Sequence, residues 1–132
     1  LLRFLKANVM ALEFAQANPR AAAQITYDRF PGLAAQMTPQ VALESMRQLA
    51  YGYGAGKRIG AGWGYHDPEG WKLYLDTIHQ LGQTRTHLTT DAVITNELVP
   101  EANRVDVGSV RADAANFKLK PEWADVTLLG PI

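Results

Sequence analysis

Apolar residues recur at helical spacing through most of the chain. In the first segment, four aliphatic residues follow one another at intervals of three and four, which places them on one face of a helix. They are Leu2, Leu5, Val9 and Leu12. Three more apolar residues lie off this stripe: Phe4, Met10 and Phe14. The segment is therefore predicted to be a helix with contacts on more than one side.

Helix start signals divide the rest of the chain. An Asn, Thr or Asp side chain accepts a hydrogen bond from a first-turn N–H, and Pro is tolerated at the first helical position. The combination occurs at Asn18-Pro19, Thr38-Pro39 and Asp67-Pro68. Pro31-Gly32 is predicted to end the first of these helices, and Gly82 suits the left-handed position after the third.

Each of these helices has a predicted inward face, read from the spacing of its apolar residues. The faces are Ala22, Ala23, Thr26, Tyr27 and Phe30 in the first, Ala42, Met46, Leu49 and Tyr53 in the second, and Trp71, Tyr74, Leu75 and Ile78 in the third.

The pattern shortens beyond residue 90. Thr90 or Asp91 can cap a brief helix that continues to Glu97 and is limited by Pro100, and Asp106 can cap a last helix. Val110, Ala114 and Phe117 line up on that last helix. The sequence therefore predicts an all-α fold of about six helices.

Composition agrees with one helical unit over residues 1–132. Hydrophobic residues make up 47% of the chain, enough for a core, and only residues 126–129 resemble a short strand. Lys plus Arg and Asp plus Glu number 13 each, which argues against nucleic acid as a partner. The absence of cysteine excludes a disulfide framework and a thiolate metal site.

A glycine-rich loop is predicted over residues 52–66. It holds six glycines between Gly52 and Gly64, and glycine lets a backbone approach a ligand closely. The aromatic residues Tyr53, Trp63 and Tyr65 are the candidate ligand-binding residues, because their rings can stack on a flat heterocycle. The simpler alternative, a mobile connector whose aromatics fold back on the core, is the preferred interpretation.

No pattern of catalytic, cofactor-binding or metal-binding residues is present. Arg58 follows Gly56-Lys57 where a phosphate-binding loop needs Ser or Thr, and none of His66, His79 and His87 is four residues from another. Glu97 and Glu101 are separated by Pro100 and are interpreted as a solvated pair. The chain is therefore predicted not to be an enzyme, and to bind no cofactor or metal.

One run of residues carries a family resemblance. It reads T-N-E-L-V-P-E-A-N over residues 95–103, with an Asp at 106 and V-R-A-D-A over 110–114. This resembles the C-terminal signature of the solute-binding proteins of ABC importers in the thiamine-precursor, sulfonate, nitrate and taurine class. Its signature positions are Asn96, Glu97, Pro100, Asn103 and Asp106. Two earlier pieces are similar to the family in the same order: the F-L-K-A and E-F-A-Q-A-N-P wording within 4–19, and W-x-x-Y-L with a Gly at 82.

The resemblance implies a type 2 periplasmic binding protein, α/β when complete, of which this chain is the C-terminal helical portion. The implied partners are a small-molecule solute and the ABC permease subunits, and the implied location is periplasmic or extracytoplasmic. In this interpretation Asn103 and Asp106 tie backbone groups at the start of the last helix and do not touch solute.

Two alternative functions and a prediction about self-association remain. A free-standing helical protein-interaction module would leave little trace in a sequence. Relatives that make the thiamine pyrimidine use a cysteine-rich motif, which this chain lacks. If upstream strands normally cover the stripe of the first helix, the isolated chain should pair as a homodimer through that helix.

Overall fold

The computed structural model describes residues 1–128 and Gly130, and throughout these residues the regular structure is helical, with no strand. The α-helices are α1 (Leu2–Ala17), α2 (Pro19–Arg29), α3 (Pro39–Tyr53), α4 (Ala55–Arg58), α5 (Pro68–Gln80), α6 (Thr90–Val93), α7 (Val99–Ala102), α8 (Val107–Asn116) and α9 (Pro121–Ala124). A 3₁₀ helix, Pro31–Ala35, connects α2 to α3. The all-α class predicted from the sequence is confirmed.

The predicted cap at Thr90 or Asp91 is wrong, because Thr89 precedes α6 and no side chain among the described residues caps that helix. The four other predicted helix starts are confirmed by their hydrogen bonds. The side chains of Asn18, Thr38, Asp67 and Asp106 each accept from a backbone N–H in the first turn of the following helix. Gly82 has a φ of 69°, the left-handed conformation expected just after α5. These signals work because each acts within one turn of chain.

The short elements differ from the prediction. Helix α6 ends at Val93 and does not reach Glu97, because the backbone of Ile94 is extended. Pro100 lies in the first turn of α7, so it does not limit a preceding helix. Residues 126–128 form no strand, and Leu129 lies outside the described residues. The single-turn helices α4, α7 and α9 explain why the described part has more helices than the six predicted.

The core is divided among three clusters of buried side chains. One joins α2, α3 and α9 through Ala23, Ala42, Leu43 and Trp123. A second joins Val9 to Trp63 and Ala102, with Leu2, Leu5, Leu12 and Val105 packed against it. A third consists of Ala15, Ala22 and Ala50, where small side chains let α1, α2 and α3 approach closely. The predicted stripe of α1 is thus confirmed as an inward face.

The apolar stripe of α1 was expected to be exposed and to form a dimer, but other parts of the same chain cover it. Val9 is 5% exposed, because Trp63 and Ala102 pack on it within the same chain. The expectation that the stripe is bare is therefore wrong, and the homodimer of the isolated chain stays a prediction.

Four side chains predicted to face inward are exposed. They are Phe30, Leu49, Tyr53 and Tyr74. The reason is clearest in α5, which packs chiefly on the single turn of α6 and whose buried residue is Leu75. Because α6 is only one turn long, it covers a narrower part of α5 than the apolar spacing of α5 implies.

Candidate functional site

Two asparagines of the signature hold the end of the glycine-rich loop. Asn103 accepts from the backbone N–H of Trp63 at 2.8 Å and donates to the carbonyl of the same residue at 3.0 Å. Asn96 forms the same pair of bonds with His66, at 2.9 and 2.8 Å. A carboxamide that both donates and accepts pairs with a backbone as a neighbouring strand would. The two asparagines therefore fix the loop to the segment that contains α7.

Asn103 performs a different task from the one the sequence indicated. Its amide nitrogen donates to the carbonyl of Val99, in α7, as well as to Trp63, and the start of α8 is capped by Asp106. The expectation for Asp106 is confirmed. The expectation that Asn103 ties the start of the last helix is corrected, since its partners lie in the loop and in α7.

Glycines let the loop approach this clamp closely. Gly62 has a φ of 97°, and a Cβ there would lie 2.9 Å from the side chain of Asn103. A Cβ on Gly56 would lie 2.5 Å from the carbonyl oxygen of Gly62 and 2.7 Å from Cβ of Tyr65. Gly56 and Gly62 therefore serve close packing. The predicted loop over 52–66 is in part helical, since α3 ends at Tyr53 and α4 follows.

A buried carboxylate joins the loop to α1 and α8. Glu13 is 3% exposed and accepts from the indole N–H of Trp63 at 2.8 Å, from Lys57, and from Arg111 at 3.3 Å. Lys57 also donates to Gln16 at 2.7 Å, and its ammonium lies 4.9 Å from the ring centre of Trp63. Two cations and a hydrogen-bond donor thus surround the carboxylate, as a buried charge requires.

Opposing effects act on the pKa of Glu13. Burial raises the pKa, but the hydrogen bonds from Lys57 and Trp63 and the charges of Lys57 and Arg111 outweigh burial. The pKa therefore lies below its ordinary value, and the carboxylate is ionised at neutral pH. Glu13 was not among the residues predicted from the sequence. Its signal was a carboxylate placed one turn after Val9, next to the buried stripe.

The structure does not bring the three candidate ligand-binding aromatics together. Trp63 is 2% exposed and hydrogen-bonded to Glu13, so its ring is not open to a ligand. Tyr65 is partly buried over Gly56. Tyr53 is 64% exposed and lies at a separate groove. Trp63 therefore fits the preferred alternative, in which an aromatic residue of the loop folds back on the core.

The groove at Tyr53 lies between α1, α2, α3 and α8 and has a volume of about 710 Å³. Its walls are apolar and include Met10, Phe14, Ile25, Met46 and Leu49. A second cavity of about 280 Å³ lies beside the clamp, between Leu5, Trp63 and Leu98. The groove is within the volume range of small-molecule sites.

The remaining candidate residues have minor or structural contacts. Glu97 is exposed, and its backbone N–H donates to the hydroxyl of Thr95. Glu101 is not paired with Glu97 but with Lys6 and Arg104, at 2.9 Å each. Among residues 1–128 and Gly130, no group of three or more His, Asp or Glu side chains is arranged to hold a metal ion.

No helix within the described residues combines the length and apolar character that crossing a bilayer requires. The chain matches no protein-family model, no curated protein and no solved structure.

Proposed function

We propose that this chain is the C-terminal helical portion of a solute-binding protein that delivers a small molecule to an ABC importer. The solute class is a thiamine pyrimidine precursor, a sulfonate, nitrate or a similar small molecule. The proposal begins from the T-N-E-L-V-P-E-A-N wording and from the ordered pieces before it. In this interpretation the chain is not an enzyme, and the intact protein works outside the cytoplasm beside its permease subunits.

The double clamp is the observation that carries the proposal. The signature residues Asn96 and Asn103 each form two hydrogen bonds with the backbone of one distant segment, and Asp106 caps α8. Three polar residues of the signature, Asn96, Asn103 and Asp106, hold backbone groups, which fits a scaffold motif of a binding protein. It leaves solute recognition to other parts of the protein.

A free-standing protein-interaction module is the second candidate. It is favoured by α5, where Leu73 is 70% and Tyr74 55% exposed while the helix packs chiefly on α6. An exposed apolar helix face is typical of a surface that binds another protein. The same face is where we propose that a homodimer of the isolated chain forms, now that the stripe of α1 is known to be covered.

The upstream reading frame distinguishes the two candidates. The transporter proposal predicts in-frame coding sequence before Leu1 that specifies a secretion signal and alternating strands and helices, with permease and ATPase genes nearby. A start codon directly before Leu1 would contradict it and favour the module.

A further inference from the structure

The groove between α1, α2, α3 and α8 has the properties of a ligand site in its own right. Its volume is about 710 Å³, and small-molecule sites commonly occupy about 300 to 1,000 Å³. Three of the side chains on its walls, Met10, Ile25 and Leu49, are each more than 40% exposed. Large apolar side chains that remain in contact with water favour an apolar occupant.

One charge accompanies this apolar surface. Asp113, on α8, is the charged residue among those that line the groove. It forms no hydrogen bond or ion pair with any residue in 1–128 or with Gly130. By contrast, Glu13, the acidic residue of α1, is surrounded by Lys57, Trp63 and Arg111. An unpaired carboxylate at an apolar wall selects for a positive charge on the occupant.

Two uncharged polar residues, Asn8 and Thr26, also line the groove. The amide nitrogen of Asn8 donates to Phe4, so its oxygen remains available as an acceptor. The hydroxyl of Thr26 donates to the carbonyl of Ala22. Ammonium groups donate up to three hydrogen bonds and accept none, so acceptor oxygens in the same groove as an unpaired carboxylate suit them.

We infer that this groove binds a small apolar molecule that carries one protonated amine, with the hydrocarbon against Met10, Phe14 and Leu49 and the ammonium toward Asp113. The inference goes beyond the proposed function and rests on the groove alone. Its test does not depend on whether that function is correct.

Methyl NMR of the chain with two naphthalene probes tests the inference. The probes are 1-naphthylmethylammonium and 1-naphthylacetate, which share the ring and differ in charge. The cationic probe is expected to shift the methyl resonances of Met10, Ile25, Met46 and Leu49 and to bind at least fivefold more tightly than the anionic one.

Three variants sharpen the test. Asp113→Asn is expected to lower the affinity for the cationic probe about fivefold, as loss of one water-exposed charge contact does. Asp91→Asn, at an exposed aspartate of α6 away from the groove, is the matched control and should change nothing. Ala11→Trp, at an exposed position on the groove wall, should block binding while the circular dichroism spectrum stays helical.

Each other result overturns the inference. Absence of groove shifts, equal affinity for the two probes, or an unchanged affinity in Asp113→Asn would each contradict it. So would groove shifts that follow protein dilution without any probe, because a second copy of the chain would then be the occupant.

Discussion

Asn103 and the backbone of Trp63 lie 40 residues apart in the chain and exchange two hydrogen bonds, at 2.8 and 3.0 Å. Trp63 in turn donates its indole N–H to Glu13, whose side chain is almost fully buried. Asn103 thus holds in place Trp63, which packs against Val9 of α1. The clamp and the buried carboxylate together explain why a segment with six glycines has a fixed place in the fold.

Removal of the clamp should destabilise the whole chain. Asn103→Ala breaks the bonds to Trp63 and Val99 and is expected to lower the free energy of unfolding by about 2 kcal/mol, since a partly buried backbone pair loses its partner. Urea melts measure the loss. Asn8→Ala is the control and should stay within about 0.5 kcal/mol, because Asn8 is exposed and among the described residues its side chain bonds only to Phe4 of the same helix. Equal effects of the two changes would show that the clamp contributes no stability.

A glycine series separates backbone conformation from crowding. Gly60→Ala, at a φ of 80° with open space around it, is expected to cost about 1 kcal/mol. Gly62→Ala combines a φ of 97° with a clash against Asn103 and should cost more, about 3 kcal/mol. Gly32→Ala has neither problem and serves as the control. Thermal or urea denaturation should rank the stability losses of the three variants. Equal losses for Gly60→Ala and Gly62→Ala would show that Gly62 is not tightly packed against Asn103.

Glu13 should make stability depend on pH. Because its folded pKa lies below the ordinary value of 4.5, its contribution is fully present above about pH 4.5 and is lost as pH falls through the folded pKa. Glu13→Gln is expected to cost about 2 kcal/mol at pH 7, and the difference from the unchanged chain should shrink toward acid. Urea melts across pH 3 to 7 measure this, with the exposed Glu97→Gln as control. A difference that grows toward acid would reverse the sign of the argument.

The tryptophans should differ in their contributions to the core. Trp123 is 2% exposed and packs against Leu43 and the ring of Tyr27, so Trp123→Ala is expected to cost about 3 to 5 kcal/mol. Trp71 is only partly buried and donates its indole N–H to His66, so Trp71→Ala should cost about 1 to 2 kcal/mol. Urea melts compare them. If Trp71→Ala lowered the free energy of unfolding more than Trp123→Ala does, Trp71 of α5 would belong to the core, contrary to this prediction.

What the sequence predicted well is local. The caps at Asn18, Thr38, Asp67 and Asp106 depend on atoms within one turn, and the stripe of α1 depends on spacing within one helix. The all-α class follows from many such signals in agreement.

The parts that the sequence did not predict depend on long-range contacts. Trp63 and Asn103 are 40 residues apart, and Glu13 and Arg111 are 98 apart, so no spacing rule connects them. Apolar spacing marked Tyr53 and Tyr74 as inward, but whether a helix face is covered depends on which neighbour reaches it. The candidate ligand-binding set failed to converge for the same reason.

Thermal unfolding of the product of the complete reading frame, with and without candidate solutes, tests the central claim most directly. The panel contains nitrate, taurine, an alkyl sulfonate and the pyrimidine precursor of thiamine. We predict that one of these raises the unfolding temperature by several degrees at millimolar concentration, as mass action requires of a ligand that binds the folded state. An upstream frame that yields a secreted α/β protein unaffected by any of these solutes would contradict the proposed class. A frame that begins at this chain would contradict the transporter function as a whole.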